Sequence, residues 1–129
     1  MAPFQSLDHI IPGLAAVYLY GSEARGEARA DSDVDVAIVA YRPLSAAVIG
    51  SAREFLEEAL GRDVGVVDLA SAPLPLVHQI MIDGRRLNEP DPVYADLMEV
   101  RLMREYEDLK RRRTGIEGDV VARGKVFAA

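Results

Sequence analysis

Residues 18–39 read YLYGSEARGEARADSDVDVAIV, and this stretch decides the interpretation of the chain. It contains the pair Gly21-Ser22, then ten residues, then Asp33 and Asp35 on either side of a valine. Apolar residues precede the glycine and follow the aspartates. The spacing therefore predicts two short strands joined by a polar connection, with chemistry-bearing residues where one strand ends and the next begins.

The first half of this stretch predicts a binding site for an anion such as phosphate. The apolar run 15–20 favours a buried strand that ends at Gly21, where the absence of a Cβ lets the backbone turn tightly and approach a ligand. Ser22 is a good N-cap, so a helix is expected to begin there. The free N–H groups of a helix start suit phosphate oxygens. The alternative is an ordinary strand-to-helix turn.

The second half predicts a pair of carboxylates on one face of a strand. Residues two apart in a strand point the same way, so Asp33 and Asp35 are expected to project together from a strand over residues 34–40. Two like charges this close repel each other, and full exposure, an upward pKa shift, an arginine or a hard cation would relieve the repulsion. Mg²⁺ held by carboxylates and substrate phosphates fits the last option.

A third carboxylate is expected on a later strand. The run 63–69 is short and rich in valine, and Asp68 lies near its end. If this strand pairs beside the one carrying Asp33 and Asp35, Asp68 completes a triad able to hold two metal ions for an in-line displacement. An aspartate at a strand end also commonly caps the next element, which is the alternative role for Asp68. Its preference over Asp63 rests on position within the strand.

The pattern Gly-Ser-x10-Asp-x-Asp, inside Gly-Ser-x-Ala-Arg-Gly, resembles the signature of the polymerase-β-like nucleotidyltransferase superfamily. The short length and the Ser-Asp-Val-Asp-Val ending are most similar to its minimal nucleotidyltransferase (MNT) branch, the antitoxin partner of HEPN ribonuclease toxins. Residues 17–69 carry the resemblance. It implies that Gly21 and Ser22 hold the β- and γ-phosphates of a nucleoside triphosphate.

The resemblance also implies the remaining roles in the site. Asp33 and Asp35 would bind Mg²⁺, with two ions expected in all. Asp68 would bind the catalytic ion and help to deprotonate the attacking hydroxyl. Arg25 stands at the arginine position of the motif, where it would touch phosphate or the acceptor.

The order of predicted elements indicates an α+β (α/β-like) fold. Helices are expected over residues 44–60, 73–82 and 91–113, alternating with the strands. The resemblance favours a small mixed β-sheet with helices packed mainly on one side. We expect a nucleotidyltransferase domain at residues 1–113 and a flexible C-terminal tail at residues 114–129.

Composition narrows the class of protein. The chain has 129 residues, 50% of them hydrophobic, which suffices for one domain with a core. It has no cysteine, no signal-like N-terminus and no apolar run of membrane-spanning length, so a cytoplasmic location without membrane association is expected. Residues 1–100 carry 7 basic and 16 acidic residues, a balance that argues against direct nucleic-acid binding and suits a basic protein partner.

The resemblance implies an antitoxin that is an enzyme. It would transfer AMP from ATP to a hydroxyl, expected to be a tyrosine, of a HEPN toxin in a hetero-oligomer, releasing pyrophosphate. One alternative is a non-catalytic antitoxin that acts by binding alone. Another is a small-molecule nucleotidyltransferase of the aminoglycoside-modifying type, although such enzymes usually need additional chain to form the acceptor pocket.

Overall fold

A four-stranded mixed sheet forms the centre of the molecule in the computed structural model. The structure describes the backbone of residues 2–26 and 33–123 and the side chains of residues 3–26 and 33–113. The strands are β1 (Leu14–Tyr20), β2 (Val34–Ala40), β3 (Val64–Asp68) and β4 (Arg85–Asn88), in the order β3-β2-β1-β4. β1 runs antiparallel to both β2 and β4, whereas β2 and β3 are parallel.

Helices connect and flank these strands. They are α1 (Ala2–Gln5), α2 (Ala46–Leu60), α3 (Leu74–Asp83) and α4 (Pro92–Arg123), with short 3₁₀ turns at Ser6–His9 and Leu69–Ser71. Local chemistry fixes the bounds of α2: the Ser45 hydroxyl accepts a hydrogen bond from the Val48 N–H, and Gly61 ends the helix at a positive φ of 66°. No helix within the described residues is long and apolar enough to cross a membrane.

The sheet separates two layers of core. On one face, Val36 and Ile38 pack with α2, represented by Leu56, and with the N-terminal segment. On the other face, Tyr18 and Val39 pack with side chains of α3 and α4. All seven residues of β1 are buried, which requires cover on both faces.

The predicted α+β class and the small mixed sheet are confirmed, but one detail was wrong. Helices cover both faces of the sheet rather than mainly one. The predicted helices at 44–60 and 73–82 appear with bounds shifted by one or two residues. The helix expected to end at residue 113 continues to Arg123. The division into a domain of residues 1–113 and a flexible tail of residues 114–129 stays a prediction, and residues 124–129 lie outside those described.

Asn88 joins the N-terminal segment to the edge strand β4. Its buried side-chain amide donates to the Phe4 carbonyl at 3.0 Å and to the Asp8 carboxylate at 2.7 Å.

We expect Asn88→Ala to lower the free energy of unfolding by about 1–3 kcal/mol, because it leaves both acceptors without this donor. Urea unfolding measures the change. Gln5→Ala is the matched control, since its exposed amide donates to the Leu87 carbonyl of the same strand; it should change stability by less than about 0.5 kcal/mol. Equal losses of stability in Asn88→Ala and Gln5→Ala would contradict the stabilising role of the buried Asn88 hydrogen bonds.

Candidate active site

The end of β1 lies directly against the start of β2. Tyr20 is the register partner of Asp35, so the chain passes that carboxylate as it leaves β1 at Gly21. Gly21 has a φ of +74°, and a Cβ placed on it would lie 2.5 Å from Asp35 Oδ2. Only glycine fits both the backbone conformation and this approach. The predicted glycine turn and the predicted carboxylate therefore touch.

Asp35 carries a charge that its surroundings disfavour. Partial burial, followed by the neighbouring negative charge of Asp33, raises the pKa of the Asp35 carboxyl, and the guanidinium of Arg25 partly offsets the rise. Burial and the charge of Asp35 also raise the pKa of the Tyr20 phenol. Asp33 itself is exposed, immediately before β2. The two aspartates thus interact electrostatically, as their spacing predicts.

Residues 21–26 form successive turns rather than the predicted helix beginning at Ser22. The Arg25 N–H donates to the Gly21 carbonyl at 3.2 Å, and the Gly26 N–H donates to the Glu23 carbonyl at 3.3 Å. Gly26 then adopts a φ of +74°, a conformation that ends a helical turn. Ser22 is half-buried beside Gly21. Residues 27–32, where the predicted helix would continue, lie outside the described residues.

Two ion pairs hold this turn in place. Arg25 pairs with Asp83 at the end of α3, with a distance of 3.0 Å from its Nη1 to Oδ2. Glu23 pairs with Arg62, two residues before β3. The turn is therefore tied to elements on both sides, and Arg25 stays close enough to Asp35 to affect its pKa. Sequence reasoning named Arg25 but missed Asp83, Glu23 and Arg62, whose pairing depends on contacts distant in sequence.

The structure does not bring Asp68 to Asp33 and Asp35. In the parallel register Asp68 is the partner of Ile38, whereas Asp35 is the partner of Gly65. Residues 65 and 68 differ by an odd number, so their side chains point to opposite faces of the sheet. The two Asp68 oxygens accept from the Leu44 N–H at 3.0 Å and the Ala70 N–H at 3.3 Å. The expectation that Asp68 completes a triad is corrected: its capping alternative describes the structure.

Asp33 and Asp35 have the donor chemistry for a hard divalent cation. Their oxygens are the ligands that Mg²⁺ prefers, and the missing Cβ of Gly21 leaves a cradle against Asp35 Oδ2. A cation there would relieve the repulsion that raises the pKa of Asp35. Within the described residues, no group of three or more His, Cys, Asp or Glu side chains is arranged to hold a metal. The described donor set is therefore a pair.

Gly65 is the position that sequence reasoning overlooked. It lies on β3 beside Asp35, where the third carboxylate was expected. The signal was present, because an isolated glycine inside a strand commonly marks the close approach of a ligand or another backbone. Choosing between positions 65 and 68 requires the pairing register, which the sequence does not state.

Comparison with known proteins shows the family of this chain. The family model described as polymerase beta, nucleotidyltransferase matches residues 9–93. Protein adenylyltransferase MntA of Shewanella oneidensis strain MR-1 is 33% identical over 115 residues, which span 87% of this chain and 80% of MntA.

Solved structures similar to this chain include toxin–antitoxin complexes and a minimal nucleotidyltransferase. A toxin–antitoxin crystal structure with AMP-PNP aligns with a TM-score of 0.80 and 30% identity, covering 93% of this chain and 97% of the other. A complex of tri-AMPylated Shewanella oneidensis HEPN toxin with MNT antitoxin aligns with a TM-score of 0.70 and 27% identity, at the same coverage. A minimal nucleotidyltransferase structure aligns with a TM-score of 0.58 and 28% identity, covering 67% of this chain and 86% of the other.

Alanine at position 21 should strain the site through two separate effects. The positive φ costs roughly 1–2 kcal/mol for any L-residue, and the Asp35 carboxylate must shift as well, which adds a smaller cost because its terminal oxygen can move. We expect Gly21→Ala to lower the free energy of unfolding by more than Gly26→Ala. Gly26 has the same φ of +74°, and no atom of the described residues lies within 4 Å of a Cβ placed there.

Urea unfolding of the two variants measures the difference, and an Asp35→Ala background identifies its source. In that background the extra cost of Gly21→Ala should disappear, as a double-mutant cycle requires for two groups in contact. Equal losses for the two glycine variants in the otherwise wild-type protein, where Asp35 is present, would contradict the proposed contact.

The raised pKa of Asp35 predicts a pH-dependent gain from Asp35→Asn. A carboxyl whose pKa is higher in the folded than in the unfolded protein binds more protons when folded, so stability falls as the pH rises from the ordinary 3.8 through the folded value. Asp35→Asn removes this penalty and should stabilise the ligand-free protein at pH 7 by roughly 0.2–1 kcal/mol, the range for partly exposed charges. The gain should vanish below the ordinary pKa.

Urea unfolding of wild type and Asp35→Asn across this pH range measures the gain. Asp63→Asn provides the control, because it removes an exposed carboxylate just before β3. A loss of stability in Asp35→Asn at pH 7 would contradict the electrostatic account.

Proposed function

The chain belongs to the polymerase beta nucleotidyltransferase family, and from that premise we propose that it transfers AMP from ATP to a hydroxyl of a HEPN toxin. The transfer modifies the toxin covalently and adds bulk and negative charge, which is how it would neutralise the ribonuclease. The protein would thus be an antitoxin that acts as a protein adenylyltransferase. A tyrosine is the acceptor that we propose, and a cytoplasmic location accords with such a module.

The contact between Gly21 and Asp35 is the observation that carries this proposal. It puts a glycine turn suited to phosphate beside carboxylates suited to a cation, and AMP transfer from ATP needs both. The similarity to the adenylyltransferase MntA, and to a toxin–antitoxin structure with AMP-PNP, supports ATP as the donor. The similarity to a complex of tri-AMPylated toxin and antitoxin supports a HEPN protein as the acceptor.

The reaction exchanges a phosphoanhydride bond of ATP for a phosphodiester bond to the acceptor. The acceptor oxygen attacks the α-phosphorus of ATP, and a new oxygen–phosphorus bond forms. The bond from that phosphorus to the oxygen bridging to the β-phosphate breaks, and pyrophosphate leaves with its electron pair. The acceptor hydroxyl loses its proton in the same exchange. Because Asp68 lies on the other face of the sheet, we assign this proton to the Asp33–Asp35 pair.

Each residue of the site has a role in this scheme. Gly21 and Ser22 hold the β- and γ-phosphates on the turn after β1, and Arg25 contributes a positive charge toward the phosphates. Asp33 and Asp35 would hold Mg²⁺, which would neutralise phosphate charge and make the α-phosphorus more electrophilic. The second ion expected from the sequence relied on Asp68, so we propose a site centred on the two aspartates.

The surface of α4 accords with a protein partner. Val93, Leu97 and Val100 are 67%, 65% and 49% exposed, and their spacing puts them along one side of the helix. Buried neighbours such as Met98 and Leu102 occupy the side that packs on the sheet. An exposed apolar stripe of this kind commonly marks a protein interface. The toxin is the partner that we propose.

Intact-mass spectrometry tests the transfer directly. The product of the adjacent open reading frame would be co-expressed as the candidate toxin, purified with this chain and incubated with ATP and Mg²⁺. We expect a mass gain of one AMP or a small multiple on the toxin. Asp33→Asn and Asp35→Asn should each lower the initial rate at least about 100-fold, because loss of a metal ligand removes several kcal/mol of transition-state stabilisation.

Asp63→Asn is the matched control, since it removes one negative charge near the start of β3 and should keep the rate within a few-fold of wild type. A stable complex that silences the toxin without any mass change would instead favour the antitoxin that acts by binding alone. An unmodified toxin together with AMP transfer to an aminoglycoside would favour the small-molecule enzyme.

A further inference from the structure

Asp35 lies between two glycines on the neighbouring parts of the sheet. A Cβ on Gly21 would lie 2.5 Å from Oδ2, and a Cβ on Gly65 would lie 3.5 Å from Oδ1. One glycine follows β1 and the other belongs to β3, so they approach the carboxylate from opposite sides. Each oxygen of Asp35 thus faces a position without a side chain.

Glycine is required at position 21 but not at position 65. Gly21 needs its positive φ and is in steric contact with the carboxylate. Gly65 has no positive φ, and a Cβ there would meet, among the atoms of residues 3–26 and 33–113, only Asp35 Oδ1 at an ordinary van der Waals distance. The backbone at position 65 therefore accepts a side chain. Since glycine inside a strand costs roughly 0.5–1 kcal/mol relative to alanine, its presence points to space used by a ligand.

The register identifies position 65 as the point of β3 nearest Asp35 on the correct face. Gly65 is the partner of Asp35, and Val67, two residues further, packs in the core layer that contains Ala37 and Val39. Val64 and Val66 pack in the opposite layer with Val34 and Val36. Position 65 therefore presents any side chain toward Asp35, whereas Asp68 presents its own to the other face.

We propose that, of the residues that the structure describes, Asp33 and Asp35 alone hold the divalent cation, and that Gly65 leaves the third corner of the site open. Oxygens of the nucleotide phosphates or of water complete the coordination there, as Mg²⁺ commonly requires. A carboxylate introduced at position 65 would join the metal ligands. This inference rests on the proposed function only in requiring that a cation binds at the pair.

Mn²⁺ binding to the isolated protein tests the inference without ATP or toxin. The electron paramagnetic resonance signal of free Mn²⁺ would be followed during titration of wild type, Gly65→Asp and Gly65→Asn. We expect Gly65→Asp to lower the Mn²⁺ Kd about tenfold, because a third carboxylate adds a charged ligand. Gly65→Asn has nearly the same shape without the charge and should stay within about twofold of wild type. A Gly65→Asp variant that binds no more tightly than Gly65→Asn overturns the proposal.

Three further variants identify which carboxylates hold the ion. Asp35→Asn should weaken Mn²⁺ binding at least tenfold, whereas Asp68→Asn and Asp63→Asn should leave it within about twofold of wild type. Weakening by Asp68→Asn or Asp63→Asn equal to that by Asp35→Asn would mean that the chain already supplies a third ligand, and the inference would be wrong.

If Gly65→Asp folds poorly, thermal unfolding with and without Mn²⁺ provides a second measurement of ion binding. Three like charges without an ion should lower its Tm, and Mn²⁺ should raise it by more than it raises the Tm of Gly65→Asn. Equal Mn²⁺-induced increases for the two variants would overturn the proposal. The outcome is also separable from that of the transfer assay. Tighter Mn²⁺ binding by Gly65→Asp without toxin modification by the wild type would refute the proposed function and support the two-carboxylate site. Toxin modification without tighter Mn²⁺ binding by Gly65→Asp would support the proposed function and overturn the two-carboxylate site.

Discussion

The close approach of the Gly21 backbone to the Asp35 carboxylate is the contact on which the rest of the site depends. It exists because β1 and β2 are antiparallel neighbours, with Tyr20 paired to Asp35, so that the chain leaves one strand where the other begins. A side chain at position 21 would push the carboxylate away, and a residue confined to negative φ would send the following turn elsewhere. A single register thus brings the glycine turn, for which we propose phosphate binding, into contact with a carboxylate for which we propose cation binding.

The turn that follows Gly21 is held by charges from elements far away in the sequence. The pairs Arg25–Asp83 and Glu23–Arg62 are both partly exposed, and such pairs contribute little to stability individually. Their effect is positional, since one ties the turn to the end of α3 and the other to the residues before β3. Arg25 forms an ion pair with Asp83 and also interacts electrostatically with Asp35, so its charge offsets the negative charge of the site only in part. A cation at Asp33 and Asp35 would relieve the remaining repulsion.

Sequence alone predicted the features that depend on spacing and residue type. The Gly-Ser and Asp-x-Asp motifs predicted the glycine turn, the shared face of the aspartates and the strands that carry them. Two features depended on relations between distant segments and were missed. A one-residue change of register moves every side chain to the other face, so the sequence pointed to Asp68 for the place beside Asp35 that Gly65 occupies. A serine with helix-favouring neighbours predicted a helix at residue 22, but the chain makes turns there instead.

Asp35 and Asp68 illustrate how the surroundings, rather than the residue type, determine what a carboxylate does. The oxygens of Asp68 accept from the main-chain N–H groups of Leu44 and Ala70, so its charge ties β3 to the segment before α2 and to the following 3₁₀ turn. Asp35 instead faces another carboxylate, with a glycine beside each oxygen. A charge satisfied by the backbone stabilises the fold, whereas a charge that remains repelled and sterically open favours a ligand. The aspartate flanked by glycines is therefore the one that the structure leaves available for chemistry.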